Sequence, residues 1–265
     1  MANPLSLIET LGRKTLESVE ELGYHATLLV ECLYWLLWGP RLGQPVRIGA
    51  VFSEMILVGI SALPIIAILS FTIGIMLAIQ GIHTLETFGA QEQVVLGIAL
   101  SVTREFAPLI VAILVAGRSG SAFAARIGTM KISQEIDALR VIGINPVRHL
   151  VAPSLLAMVV MLPTLTFFAD VVGLFGGAVY SAAELGIGID VYWERTLTVL
   201  ELDDIFQGLE KSLVFAVLIT LVGAANGFSV SGGAEGVGRV TTRSVVISIA
   251  AILIADMIFT YFLNQ

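Results

Sequence analysis

The sequence predicts an all-α integral membrane protein. Three observations carry the prediction: 57% of its 265 residues are hydrophobic, only 13% are charged, and the apolar residues gather into five runs long enough to cross a bilayer. Soluble globular domains carry roughly 25% charged residues, so a water-soluble fold could hardly hide this much apolar chain. The expected parts are an N-terminal amphipathic interfacial helix, a short re-entrant or shallow helix, about five transmembrane helices and a further short helix on the cytoplasmic face. One membrane domain over 1–265 is expected, with 1–47 as an interfacial N-terminal region and 118–149 as a cytoplasmic loop.

The elements follow in chain order. Leu5, Ile8, Leu11, Thr15, Val19 and Leu22 recur every three or four residues with charges between them, the pattern of a helix lying in the interface. The same stretch carries Glu9, Glu17, Glu20 and Glu21 and has no continuous apolar core, so no cleavable signal peptide is expected. Residues 24–38 are apolar but short and end in Tyr34, Trp35 and Trp38, which suits a shallow or re-entrant helix. The apolar runs then fall at 55–82, 94–116, 150–183, 212–228 and 245–263, each near or above the ~20 residues a crossing needs. The third exceeds that length, so it must tilt, kink near Pro163 or project beyond the membrane. The lone Cys32 excludes an internal disulfide and reads as a small apolar residue in a helix.

Orientation follows from Lys and Arg, which accumulate on the cytoplasmic side. Arg118, Arg126, Lys131, Arg140 and Arg148 lie between spans two and three, and Arg239 and Arg243 between spans four and five. The alternate connections are acidic, with Glu86 and Glu92 in one and Glu184, Asp190, Glu194, Glu201, Asp203 and Asp204 in the other. The N-terminus is therefore expected in the cytoplasm and the C-terminus outside. A net charge of −7 gives no reason to expect nucleic acid as a partner. His25, His83 and His149 are scattered and make no metal set, and no Ser-His-Asp or paired-carboxylate arrangement suggests an enzyme.

The connection after span two carries the most information. Ser133 can cap a helix over Glu135 and Ile136, and Ile132, Ile136, Leu139 and Ile142 then repeat at helical spacing until Gly143 and Pro146 stop it. Such a helix presents an apolar ridge with Glu135 and Asp137 beside it. It either docks in a groove of a partner protein or lies on the lipid surface.

The stretch 104–146 resembles the MlaE/YrbE permease family. It reads Arg104-Glu105 before Pro108, then Ala116-Gly117-Arg118-Ser119-Gly120-Ser121-Ala122, Ile127-Gly128-Thr129-Met130, Glu135-Ile136-Asp137-Ala138-Leu139 and Gly143-Ile144-Asn145-Pro146. A second block runs Glu235-Gly236-Val237-Gly238-Arg239-Val240-Thr241-Thr242-Arg243-Ser244. Arg126 stands where an acidic residue is expected in the family, and Ala107 where glycine is expected.

The resemblance implies a homodimeric permease subunit of an ABC transporter in the bacterial inner membrane, moving phospholipid or a related lipid. Implied partners are a cytoplasmic ABC ATPase, a STAS-domain protein in some systems and a periplasmic MCE-domain carrier. The resemblance also makes 127–143 a coupling helix, with Gly128, Met130, Glu135, Ile136, Asp137, Leu139 and Arg140 as the residues facing the ATPase. No cofactor is expected on this chain, because Lys14, Lys131 and Lys211 sit in no Gly-Lys-Ser/Thr loop and ATP would be bound by the partner.

Charges inside apolar runs are costly and default to functional or pairing roles. Arg104 and Glu105 fall in span two, Asp170 in span three, Lys211 at the outer edge of span four and Asp256 in span five. Arg104 or Lys211 could pair with Glu105, Asp170 or Asp256 and simply hold helices together. Glu105 is the strongest candidate for a substrate cavity, with Arg104, Lys211 and Asp256 around it and Leu69, Ile73 and Leu77 of span one as an apolar wall. Gly173, Gly176 and Gly177 permit close helix approach and could mark a dimer face. The competing readings are an ion-coupled secondary transporter using Arg104, Glu105 and Asp256 as a relay, and a non-transporting scaffold that docks a cytoplasmic protein.

Overall fold

A computed structural model describes the backbone of residues 4–263 and contains α-helices joined by short turns, with no strand among the described residues. In chain order the helices are α1 (Pro4–Trp38), α2 (Ile48–Val58), α3 (Leu63–Glu86), α4 (Gln91–Ile132), α5 (Glu135–Val141), α6 (Val147–Leu185), α7 (Ile189–Val199), α8 (Leu202–Phe228) and α9 (Gly233–Leu263). Five of them, α3, α4, α6, α8 and α9, are long and apolar enough to cross a membrane.

Several boundaries differ from those expected. The interfacial and shallow helices are one continuous 35-residue helix, α1. Leu5, Ile8, Leu11 and Thr15 lie outside the described side chains, while Val19 and Leu22 are exposed. The run 55–82 is broken at Gly59, and its first residues belong to α2, which packs against α6. The physical reason is Pro64, which occupies the first turn of α3, where its missing N–H costs nothing. The loop expected from 118 begins only after Ile132, because α4 runs on as a 42-residue rod. At 1.5 Å per residue that is roughly 60 Å, twice the hydrocarbon thickness, so its basic end projects into water. Ser133 closes α4 rather than capping α5, its hydroxyl bonding to the Thr129 carbonyl (3.0 Å) and to Glu135 Oε1 (2.7 Å). The chain turns instead at Gln134, whose φ is 61°, and stops after α5 at Gly143, with φ 78°.

Three wide, π-type turns interrupt the rods, at Val102–Phe106 and Ala116–Gly120 in α4 and at Val147–Val151 in α6. The first and third each end two residues before a proline, Pro108 and Pro153. A proline has no N–H for the carbonyl four residues back, and a wider turn is one way to absorb the loss.

The central seam joins α3 to α6. A Cβ at Gly74 would collide with the backbone of Gly173, and one at Gly176 with the backbone of Phe71. Gly173 and Gly176 therefore serve packing within this chain rather than a face between copies, and Gly177 faces the Tyr192 hydroxyl of α7. Two apolar clusters result. The larger fills the space among α3, α4, α6, α8 and α9, from Ala62 and Ile66 to Phe215, Ile219 and Ile252. The smaller joins Leu28 and Cys32 of α1 to Phe123, Ile127, Ile136, Val151 and Leu221.

Cys32 is fully enclosed in that second cluster. Burial, with the neighbouring Glu31 charge, pushes its thiol up to about 12. At pH 8 the reactive thiolate is then roughly one part in ten thousand. Native protein should resist maleimide labelling for hours and label stoichiometrically once denatured, followed by intact mass. Rapid native labelling would mean that α1 does not rest on the bundle as described.

Candidate functional site

The N-terminal half of α4 meets α8 and α9 at a charge cluster. On α8, Asp204, Gly208 and Lys211 are spaced i, i+4, i+7 and share one face. Gly208 lets that face approach the wide turn of α4, since a Cβ there would collide with the Thr103 carbonyl. Lys211, fully buried, reaches Glu105 Oε2 at 2.8 Å, Thr260 Oγ1 at 3.0 Å and the Arg104 carbonyl at 3.1 Å. Its ammonium also lies 3.0 Å from Asp256 Oδ1, an ionic contact rather than a directed hydrogen bond. Thr260 in turn donates to Glu105 Oε1 at 3.0 Å.

The carbonyl of Arg104 is accessible to Lys211 for a local reason. Its α-helical donor would be the N–H of residue 108, which is a proline. The freed oxygen becomes a ligand for the ammonium. On α9, Ser248, Ile252, Asp256 and Thr260 repeat every four residues and turn one stripe inward, leaving Leu253, Ile254, Met257 and Tyr261 exposed.

Arg104 and Glu105 point apart, as adjacent residues on a helix must. Arg104 pairs with Asp204, whose Oδ1 accepts from Nε at 2.7 Å while its Oδ2 accepts the Glu201 N–H at 3.0 Å and closes the first turn of α8. The Arg104 and Glu105 side chains remain about a third exposed, so the cluster opens to the surface. Arg104 lines a cleft of about 310 Å3 with Glu201, Asp203, Phe206 and Glu210. Arg104, Glu105, Lys211 and Asp256 are thus brought together. Asp170 is not: it is buried on α6 with no ion-pair partner among the described residues. Asp204 escapes the sequence reading as a pairing partner, because that reading starts span four at 212 and leaves Asp204 in the acidic connection before it.

Leu69, Ile73 and Leu77 lie on α3, which makes no substantial contact with α8 or α9 within one chain. Leu69 is exposed, and Leu77 lines a separate cleft of about 300 Å3 with Gly81, Leu85, Val94 and Ile98.

At the opposite end, Gly128, Met130 and Ile136 pack inward. Gly128 abuts Val230, and Ile136 sits fully buried as the anchor of α5. Glu135, Asp137 and Arg140 are exposed, as are Val141 and Ile142, while Leu139 is half-buried. Asp137 lies 3.4 Å from Lys131 and 3.7 Å from Arg140. Arg126 pairs with Glu54 of α2 at 2.6 Å and lies over the Phe123 ring, so the basic residue at this position has an acidic neighbour within the chain.

Five helices long and apolar enough to cross a membrane, three of which hold an ion cluster between them, define a multi-pass membrane protein. Comparison with known proteins narrows this. A family model described as Permease MlaE matches residues 51–262, and the chain belongs to that permease family. It is 30% identical over 256 residues to a probable ABC transporter permease protein of Rickettsia typhi, with 97% of each chain covered. Over 213 residues it is 37% identical to a probable ABC transporter permease protein of Synechocystis, covering 80% of this chain and 81% of the relative. It is 29% identical over 260 residues to the intermembrane phospholipid transport system permease protein MlaE of Haemophilus influenzae, again over 97% of each.

Proposed function

We propose that this chain is the lipid-translocating subunit of an ABC transporter in the inner membrane, passing phospholipid between that membrane and a periplasmic MCE-domain carrier. The observation that carries the reading is the cluster of Lys211, Glu105 and Asp256 with Arg104 beside it, partly open to the surface within an otherwise apolar bundle. A lipid path needs apolar walls for acyl chains and a few polar groups for a headgroup. Phospholipid as cargo rests on the name of the Haemophilus influenzae relative.

Two copies would enclose the path, bringing Leu69, Ile73 and Leu77 of α3 to face the charged cluster. ATP would be bound and hydrolysed by a separate ATPase, with a STAS-domain protein as a further cytoplasmic partner. The distribution of Lys and Arg supports a cytoplasmic N-terminus and a periplasmic C-terminus. In this arrangement the surface offered to the ATPase is Glu135, Asp137 and Leu139, with Arg140 at its edge, held by buried Gly128 and Ile136 and half-buried Met130.

The test is reconstitution with the co-purifying ATPase and measurement of ATP hydrolysis and lipid transfer together. Replacing Glu135 and Asp137 by Gln and Asn should cut lipid transfer at least tenfold while the ATPase retains basal turnover. Normal transfer in that variant removes the docking surface. Transfer driven by an ion gradient without ATP replaces the ABC reading with a secondary transporter.

A further inference from the structure

A second cavity, of about 480 Å3, lies at the other end of the molecule from the charged cluster, where α1 crosses the turn between α5 and α6. Its walls include Tyr24, Leu28 and Glu31 of α1, Arg140 and Asn145 of the turn region, and Phe228 at the end of α8. Two of the spanning helices end here, α6 beginning at Val147 and α8 finishing at Phe228. The cavity therefore sits at the end of the bundle where the apolar runs give way to charged residues. Trp35, one turn along α1 from Glu31, lies under the Arg148 guanidinium at 5.3 Å, which suits an aromatic anchor at that boundary.

The cavity holds one charge of each sign with unused bonding capacity. Glu31 accepts one hydrogen bond, from Asn145 Nδ2 at 2.7 Å, leaving most of a carboxylate's acceptor sites unfilled. Among the described residues Arg140 has one ion pair, with Asp137 at 3.7 Å, a distance beyond direct hydrogen bonding. Tyr24 lines the same cavity and feels both charges: burial pushes its phenol up, the Arg140 charge pulls it down and the Glu31 charge pushes it up. Thr27 and Glu31 also line an apolar groove of about 400 Å3 along α1 with Ala26, Val30 and Tyr34. The cavity thus shares Thr27 and Glu31 with an apolar groove along the same helix.

We propose that this chamber binds the headgroup of a phosphoethanolamine lipid of the cytoplasmic leaflet, as a site separate from the transport path. The primary ammonium donates to Glu31, the phosphate meets Arg140 and the Tyr24 hydroxyl, and an acyl chain follows Val30 and Tyr34. A quaternary ammonium cannot donate a hydrogen bond, and glycerol offers only neutral hydroxyl donors, so neither makes the charge-assisted N–H bond to Glu31 that the primary ammonium makes. The site does not depend on what the outer cluster transports.

The experiment places a benzophenone amino acid at Thr27 in the full-length protein, in vesicles of equal parts phosphatidylethanolamine, phosphatidylcholine and phosphatidylglycerol. Mass spectrometry identifies what is crosslinked after illumination. A hydrogen bond to a charged group corresponds to about tenfold in occupancy, so phosphatidylethanolamine should be enriched about tenfold over either of the others. Glu31→Gln should bring it level with phosphatidylcholine, and Arg140→Gln should weaken capture of all three. Equal crosslinking of the three lipids in the parent protein overturns the proposal without needing either variant. So does an enrichment that survives Glu31→Gln, and so does crosslinking to a cytoplasmic protein in native membranes in place of lipid.

Discussion

Replacing Lys211 by Met is expected to destabilise the bundle by about 3–5 kcal/mol, because it strands two carboxylates, Glu105 and Asp256, without their shared cation in a low-dielectric setting. The loss should appear as a lower unfolding temperature in detergent and as abolished lipid transfer. Neutralising all three positions together, Lys211→Met with Glu105→Gln and Asp256→Asn, removes the stranded charges and should recover most of the stability. Transfer should stay lost in the triple variant if the charges handle a headgroup. Recovery of both would reduce the cluster to a clamp between helices. An unchanged unfolding temperature in the single variant would show that Lys211 does not hold α4, α8 and α9 together.

The second large effect is expected at the α3–α6 seam. Gly74→Val and Gly176→Val each place carbon where the opposing helix has backbone, which no rotamer change can relieve. Overpacking ordinarily costs about 1–3 kcal/mol, and backbone obstruction belongs at or above the top of that range. Each variant should give little monodisperse protein on size-exclusion chromatography. Gly49→Val on α2, where a Cβ meets nothing within 4 Å, is the matched control and should lie within about 0.5 kcal/mol of the parent. Equal behaviour of the seam variants and the control would refute the close approach of the two helices.

The existence of five spans was legible because an apolar run of about twenty residues matches the thickness of a bilayer and exceeds what a soluble core usually encloses in one helix. Their ends were not, because helices that project past the hydrocarbon carry charges there, and hydropathy reads such charges as loops. Arg118, Arg126 and Lys131 on α4, Asp203 and Glu210 on α8, and Arg239 and Arg243 on α9 all lie within helices. The break in the first run was signalled by Pro64 but outweighed by continuous apolarity. Pairing of Lys211 with Glu105 and Asp256 was among the expected arrangements. The Arg104–Asp204 pair was hidden by the misplaced start of α8, although the spacing of Asp204, Gly208 and Lys211 already marked a single face. At α5, periodicity placed the helix but could not say that Ile136 would turn inward while Val141 and Ile142 remained outside. That choice depends on Phe123, Ile127 and Val151, which are distant in the chain or on another element.

The three wide turns give these rods a freedom that a regular helix lacks. A wide turn holds one residue of slack, and it can pass along a helix by exchanging one i→i−5 hydrogen bond for an i→i−4 bond at each step. The number of bonds stays the same, yet each residue it passes rotates by about 100° around the axis. Pro108 and Pro153 resist such passage at two of the sites, because neither can supply the N–H that a regular ladder needs. The turn at Ala116–Gly120 has no such stop within it and lies between the ion cluster and the Ile132 end of α4. Geometrically, α4 is therefore a jointed shaft, with its joint at Ala116–Gly120 between Glu105 and Ile132.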